Sequence, residues 1–194
     1  QPPLLPDGQI PAGANDNAAG VAVMLEMIRT MKESGYQPYK TFLFVAYSGE
    51  GLEGGENVRA DVEKFLSAKK GFSSAYEVET IVDLRGLGAK EGNQLLLSVG
   101  GSLRLANIFE SAAKRMRTPT QRTGERVDIS IVFEDKAGIN GGEEAPRIGL
   151  LWEGWDLTAG TMLDTYEEVS AAHLDESGES ISLALMMLGR ETQH

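Results

Sequence analysis

Thr41-Phe42-Leu43-Phe44-Val45-Ala46-Tyr47 runs straight into Ser48-Gly49-Glu50. A nearly continuous stretch of β-branched, aliphatic and aromatic residues, closed by a polar triplet, predicts a strand buried on both faces, as in a parallel sheet. In open sheets of that kind ligands bind outside the carboxyl ends of the strands, which makes Glu50 the first residue to consider for chemistry.

Upstream, Val21, Met24, Leu25, Ile28 and Met31 recur at helical spacing, with Asn15, Asp16 and Asn17 offering N-cap oxygens and Gly35 ending the run. Before this helix, Pro2, Pro3, Pro6 and Pro11 with Gly8 and Gly13 make residues 1–12 an irregular lead-in, so the chain is expected to start within the fold, without its first strands. Downstream, a helix is expected from Glu56 to about Lys69, then a strand over Thr80–Leu84 ending at Asp83 and the glycines Gly86 and Gly88. Leu95–Val99 reads as a strand. Ala106, Phe109, Ala113 and Met116 place one apolar stripe on a further helix, closed by Pro119. Ile129–Phe133 and Ile148–Trp152 read as two more strands, and Leu174, Ile181, Leu185 and Leu188 mark a closing helix that contains Gly178. Helices alternating with buried strands predict an α/β three-layer sandwich with a largely parallel central sheet.

The 194 residues suit one domain, 1–194. With 29 acidic against 18 basic residues the net charge is −11, which excludes a nucleic-acid partner. No apolar run reaches the roughly 18–20 residues of a membrane span, and the lead-in lacks the basic flank and apolar stretch of a signal peptide. There is no cysteine, so any metal must be held by carboxylate and imidazole, and only His173 and His194 supply the latter.

Three carboxylates fall at the positions where such a sheet builds a site: Asp16 in the loop entering the first helix, Glu50 past one strand and Asp83 at the end of another. Carboxylates gathered together repel one another unless a cation neutralises them or some stay protonated, which points to a hard-metal site or an acid/base pair. The competing reading is ordinary: Asp and Asn before a helix cap it, and acidic residues after strands face water.

The wording around these residues is more specific. Gly13-Ala14-Asn15-Asp16-Asn17-Ala18-Ala19-Gly20-Val21-Ala22 resembles the GANDNASGVA segment of the bacterial leucyl-type co-catalytic zinc aminopeptidases, peptidase family M28. Phe44-Val45-Ala46-Tyr47-Ser48-Gly49-Glu50 resembles that family's F-V-A-x-S-G-E-E strand, Ile81-Val82-Asp83-Leu84 its N-x-D-M strand end, and Asp164-Thr165 its D-T. The resemblance implies a zinc-peptidase fold in which Asp16 bridges two zinc ions, Asp83 binds one of them and Glu50 is the general base. It also implies an extracytoplasmic or secreted setting.

The same resemblance exposes losses. The family's first ligand is a histidine on a strand before the GANDN loop, and no histidine precedes Asp16. Its ligand Glu directly after the base is absent, because Gly51-Leu52-Glu53-Gly54-Gly55 follows Glu50 at once. Its last histidine stands four residues before the D-T aspartate, where this chain has Gly160. Asp16, Glu50 and Asp83 remain, without an imidazole, whereas a catalytic zinc normally keeps three protein ligands and a water. His173, nine residues past Asp164 at the start of the closing helix, is expected to cap or to lie on the surface, and His194 is terminal. Glu53 and the acidic Asn140-Gly141-Gly142-Glu143-Glu144 loop read as solvated. Trp152 and Trp155 are candidates to line a peptide or small-molecule pocket, with a core role open for Trp152.

The resulting expectation is a degenerate aminopeptidase-like domain, catalytically impaired, binding zinc weakly or not at all and acting as a scaffold or peptide/ligand-binding domain. The alternatives are an active aminopeptidase whose upstream His lies outside this chain and a metal-independent carboxylate hydrolase.

Overall fold

The computed structural model describes residues 11–46, 79–99, 102–123 and 146–191. Within them β1 (Ile81–Leu84), β2 (Leu95–Val99), β3 (Thr120–Thr123) and β4 (Arg147–Trp152) form one sheet in the order β1-β4-β2-β3. β1 runs parallel to β4 with Asp83 opposite Gly149, and β2 runs parallel to β3 with Leu97 opposite Arg122. β2 and β4 are antiparallel, with Leu97 opposite Leu150. Helices α1 (Gly20–Glu33), α2 (Leu103–Met116) and α3 (Ala171–Arg190) complete the α/β sandwich, whose mixed sheet carries helices on both sides. Every residue of β4 is buried, Arg147 included, as the apolar run Ile148–Trp152 requires of a strand between two neighbours.

The core joins this sheet to one stripe of each helix. Leu105, Phe109 and Ala112 of α2 and Ile181, Ala184, Leu185 and Leu188 of α3 pack with Leu95, Leu97, Ile148, Leu150 and Trp152. α3 runs unbroken through Gly178. α1 lies where its periodicity puts it but faces differently: Val23, Met27 and Met31 are buried, while Leu25 is 59% exposed and Val21, Met24 and Ile28 are half-buried. Its apolar residues span a wide arc, with Glu26, Arg29, Lys32 and Glu33 on the rest, and the core takes the part of that arc through Val23, Met27 and Met31.

Three further differences have physical causes. Residues 41–46, expected in a strand buried on both sides, belong to no strand; Phe42 and Phe44 pack on the core while Leu43 and Val45 are exposed. An apolar run does not distinguish a two-sided strand from an extended segment laid down on one side. β3 was not expected, because Thr120-Gln121-Arg122-Thr123 has no apolar residue; it lies at the edge of the sheet among the described residues and is fixed by its pairing with β2. Third, the Asn15–Asn17 triplet supplies no side-chain cap: it lies inside an irregular helical turn, Ala14–Ala19, kinked at Asp16 and Asn17, which runs into α1 through Ala19, and neither start carries a side-chain cap bond. The helix expected at Glu56–Lys69, the strand at Ile129–Phe133, Tyr47, the residues Glu50, Glu53 and His194, the Asn140–Glu144 loop and most of the lead-in lie outside the described residues.

Candidate functional site

The loop before α1 is held open by a buried carboxylate far away in sequence. Asp164, fully buried, accepts the Asn15 N–H on Oδ1 at 2.6 Å and the Asp16 N–H on Oδ2 at 3.1 Å, and its main-chain oxygen accepts the Ala14 N–H at 3.3 Å. Burial pushes the Asp164 carboxyl above the ordinary carboxylate range; the two N–H bonds oppose that shift and the nearby Asp16 carboxylate adds to it. Asp164 is itself positioned by a compact turn in which Thr161 Oγ donates to the Thr158 carbonyl (2.8 Å) and accepts the Leu163 N–H (3.1 Å). Gly160 opens that turn at φ +68°, in the left-handed region, and a Cβ built there would meet nothing within 4 Å. Where the resemblance puts a histidine ligand, the chain has a conformation that side-chain-bearing residues rarely adopt and open space.

With its backbone pinned, the loop sends its side chains to the end of β1. Asn15 is fully buried and its Oδ1 accepts the Gly88 N–H at 3.0 Å; Asn17 Nδ2 donates to the Leu84 carbonyl at 2.8 Å. The Asp16–Asn17 peptide between them is cis. Asp16 itself meets Arg85, whose Nε lies 3.0 Å from Oδ1 and whose Nη2 lies 3.3 Å from Oδ2. The side chains are only 14% and 27% exposed, respectively. This is the parallel two-bond fork for which guanidinium and carboxylate are matched. The indole of Trp155 lies under the guanidinium, 5.2 Å from its ring centre.

Asp83 sits on β1 two residues before Arg85, half-buried opposite Gly149. The structure therefore brings the Asp16 loop to the strand end that carries Asp83, and sets Arg85 directly against Asp16. Arg85 is the residue that the sequence reading missed. Its signal in the sequence was only partial: carboxylates at one sheet end require a neutralising cation, and a basic residue stands two positions after Asp83, with nothing to pair it with Asp16.

The other candidates fall into structural roles. His173, in the first turn of α3, stacks on Trp152 (ring centres 4.4 Å apart, planes 20° from parallel) and its Nδ1 is 2.7 Å from the Ala89 carbonyl oxygen. It is half-buried against the core, neither capping the helix nor lying free on the surface, because the helix start is capped by Ser170. Trp152 is fully buried in the core, leaving Trp155 as the tryptophan at the site.

A two-zinc centre does not fit the described donors. Among the described residues no three His, Cys, Asp or Glu side chains gather as a ligand group. The carboxylate expected to bridge two ions has both oxygens on a guanidinium, and the last imidazole position is a glycine.

The family model described as "Peptidase family M28" matches residues 5–184. Among solved structures the chain is similar to a zinc aminopeptidase from Bacillus subtilis, with 21% identity and TM-score 0.71 over 95% of this chain and 44% of that one. It is similar to LapB from Legionella pneumophila, with 20% identity and TM-score 0.71 over 92% of this chain and 48% of that one. It also matches the γ-secretase component nicastrin, with 14% identity and TM-score 0.66 over 93% of this chain and 38% of that one. At these identities the likeness is one of fold, and the chain spans less than half the length of each.

Proposed function

Because the chain belongs to peptidase family M28, we propose that it is an aminopeptidase-like domain, spanning residues 1–194, that retains the scaffold of a zinc peptidase and serves as a scaffold or a peptide- or ligand-binding domain rather than as a catalyst. One observation carries this reading. The frame that presents Asp16 is intact, with the Asn15 and Asp16 N–H groups on the buried Asp164, while the position four residues earlier is the left-handed Gly160, with no group to offer an ion. No helix among the described residues is long and apolar enough to cross a membrane. An extracytoplasmic or secreted location is part of this proposal.

A second reading, a metal-dependent aminopeptidase that removes N-terminal residues from peptides, has the Phe44–Glu50 segment in its favour. In it Glu50 is the general base and Asp16 and Asp83 are metal ligands. A base alone contributes roughly 10²- to 10⁴-fold, far short of the acceleration that amide hydrolysis needs. Incubation of the chain with aminoacyl anilides, with and without added zinc, separates the two. The expected result is no release above a buffer control. Hydrolysis that is lost on chelation, restored by zinc and absent from Glu50→Gln would replace the first reading by the second.

A further inference from the structure

We propose that the Arg85 guanidinium is this domain's own cation, substituting for metal charge at the Asp16 carboxylate; the inference rests on the scaffold reading above. The pair is built, not incidental. Asp16 is fixed through its own N–H to Asp164, through the Asn15 N–H to the same carboxylate and through Asn17 to the Leu84 carbonyl. Arg85 is fixed through its main-chain N–H to the Leu150 carbonyl at 3.0 Å. Two anchored backbones present the charges to each other, so little side-chain freedom is lost in forming the fork, unlike a surface ion pair between two mobile chains.

The surroundings are shaped for a guanidinium. Its planar, weakly hydrated face rests on the Trp155 indole, a contact that a compact, strongly hydrated metal ion does not need. Trp155 reaches that position because Gly86 follows Arg85 at φ +55°; a Cβ at Gly86 would come within 2.7 Å of the Trp155 Cβ. Sequence supplies the whole unit in Arg85-Gly86 and the single aromatic Trp155. Arginine stays protonated at any physiological pH and cannot be chelated, so the charge balance of Asp16 is independent of metal supply. A divalent ion on the Asp16 oxygens would stand beside a permanent positive charge in a partly buried setting, where repulsion is poorly screened.

The test is a metal titration of the full chain with manganese(II) and zinc(II), by calorimetry and by thermal melting, on wild type, Arg85→Met, Arg85→Lys, Asp16→Asn and the Asp16→Asn/Arg85→Met double variant. Wild type is expected to melt at the same temperature with chelator as with millimolar metal. Arg85→Met should melt lower and bind manganese(II) about tenfold or more tightly than wild type, since removing a nearby positive charge favours a cation at the carboxylate. Arg85→Lys, which keeps the charge, should show no gain in metal affinity. The gain should vanish in the double variant, and the melting losses of the two single changes should be strongly non-additive. Should Arg85→Met fail to fold, Arg85→Gln carries the same comparison. Stoichiometric zinc on wild type that survives chelation and depends on Asp16 would overturn the inference, as would additive losses with no gain in metal affinity. Zinc-dependent anilide hydrolysis by wild type sinks the scaffold reading, whereas an inactive wild type with no gain in Arg85→Met sinks this inference alone.

Discussion

Helices α2 and α3 begin differently from α1. Ser102 Oγ accepts the Leu105 N–H at 3.4 Å and Ser170 Oγ accepts the His173 N–H at 3.3 Å, so each helix satisfies one of its free amide groups from a residue next to it. α1 is preceded by Asn15, Asp16 and Asn17, all strong cap formers, yet the kinked turn Ala14–Ala19 that contains them leads into it with no side-chain cap bond. The three side chains are used at long range instead, on Gly88, Arg85 and Leu84. A cluster of cap residues that leaves its own helix uncapped marks the place where the chain exchanges local stability for a fixed geometry between distant segments.

The contrast predicts a ranking of losses, and the largest belongs to the acceptor that holds the loop. Asp164→Ala removes the partner of two amide N–H groups, that of Asn15 buried and that of Asp16 partly so. Each unpaired donor costs about 1–3 kcal/mol, so the loss should be about 2–6 kcal/mol in urea unfolding at constant m-value. Asn15→Ala leaves only the Gly88 N–H without its acceptor and should cost about 1–3 kcal/mol. A loss below about 1 kcal/mol in Asp164→Ala would remove the distinction between the two kinds of helix start.

The local caps come next. Ser102→Ala and Ser170→Ala each give up one cap bond, partly exposed, and are expected to cost about 1 kcal/mol, within the 0.5–2 kcal/mol seen for such changes. Neither should alter the metal response of Arg85→Met, because neither touches the Asp16 loop. If Ser170→Ala costs more than Asn15→Ala, the ranking is wrong and α3 is the element on which the site depends.

The same contrast explains what could be read from the sequence. The strands at Leu95–Val99 and Ile148–Trp152 were legible as short apolar runs, the same signal that misled at residues 41–46, and α2 and α3 because one clean stripe faces the core. The Asp16 segment was legible as a motif, but its partner was not: Arg85 is identified only when the loop is folded back onto the end of β1, a contact across 69 positions. Asp164 was visible as part of a D-T pair, while its role as acceptor for two distant amides depends on tertiary placement alone. β3 was invisible for the opposite reason, since a polar four-residue strand has no periodic signal and is fixed by its ladder with β2.

That edge gives the smallest effect and the one with a pH signature. Arg122 of β3 forks onto Glu110 of α2, with Nε and Nη2 each 2.6 Å from a carboxylate oxygen, and its Nη2 also donates to Asn107 Oδ1 at 2.8 Å. The bond to Arg122 holds the Glu110 carboxyl below the usual glutamate range, against a smaller desolvation effect that raises it. The side chains are 38% and 34% exposed, so water and salt screen the pair and Arg122→Ala should cost only about 0.2–1 kcal/mol near neutral pH. A carboxylate depressed in the folded state contributes stability above its unfolded pKa, about 4.3, and loses it as pH falls through the lower folded value. The gap between wild type and Arg122→Ala should therefore be widest near neutrality and shrink in acid to what the Asn107 bond alone supplies. In concentrated salt at neutral pH it should narrow in the same way. A gap that stayed constant from neutral pH into acid would mean that Arg122 acts on β3 through packing of its aliphatic stem, and that this edge, unlike the Asp16 loop, owes nothing to charge.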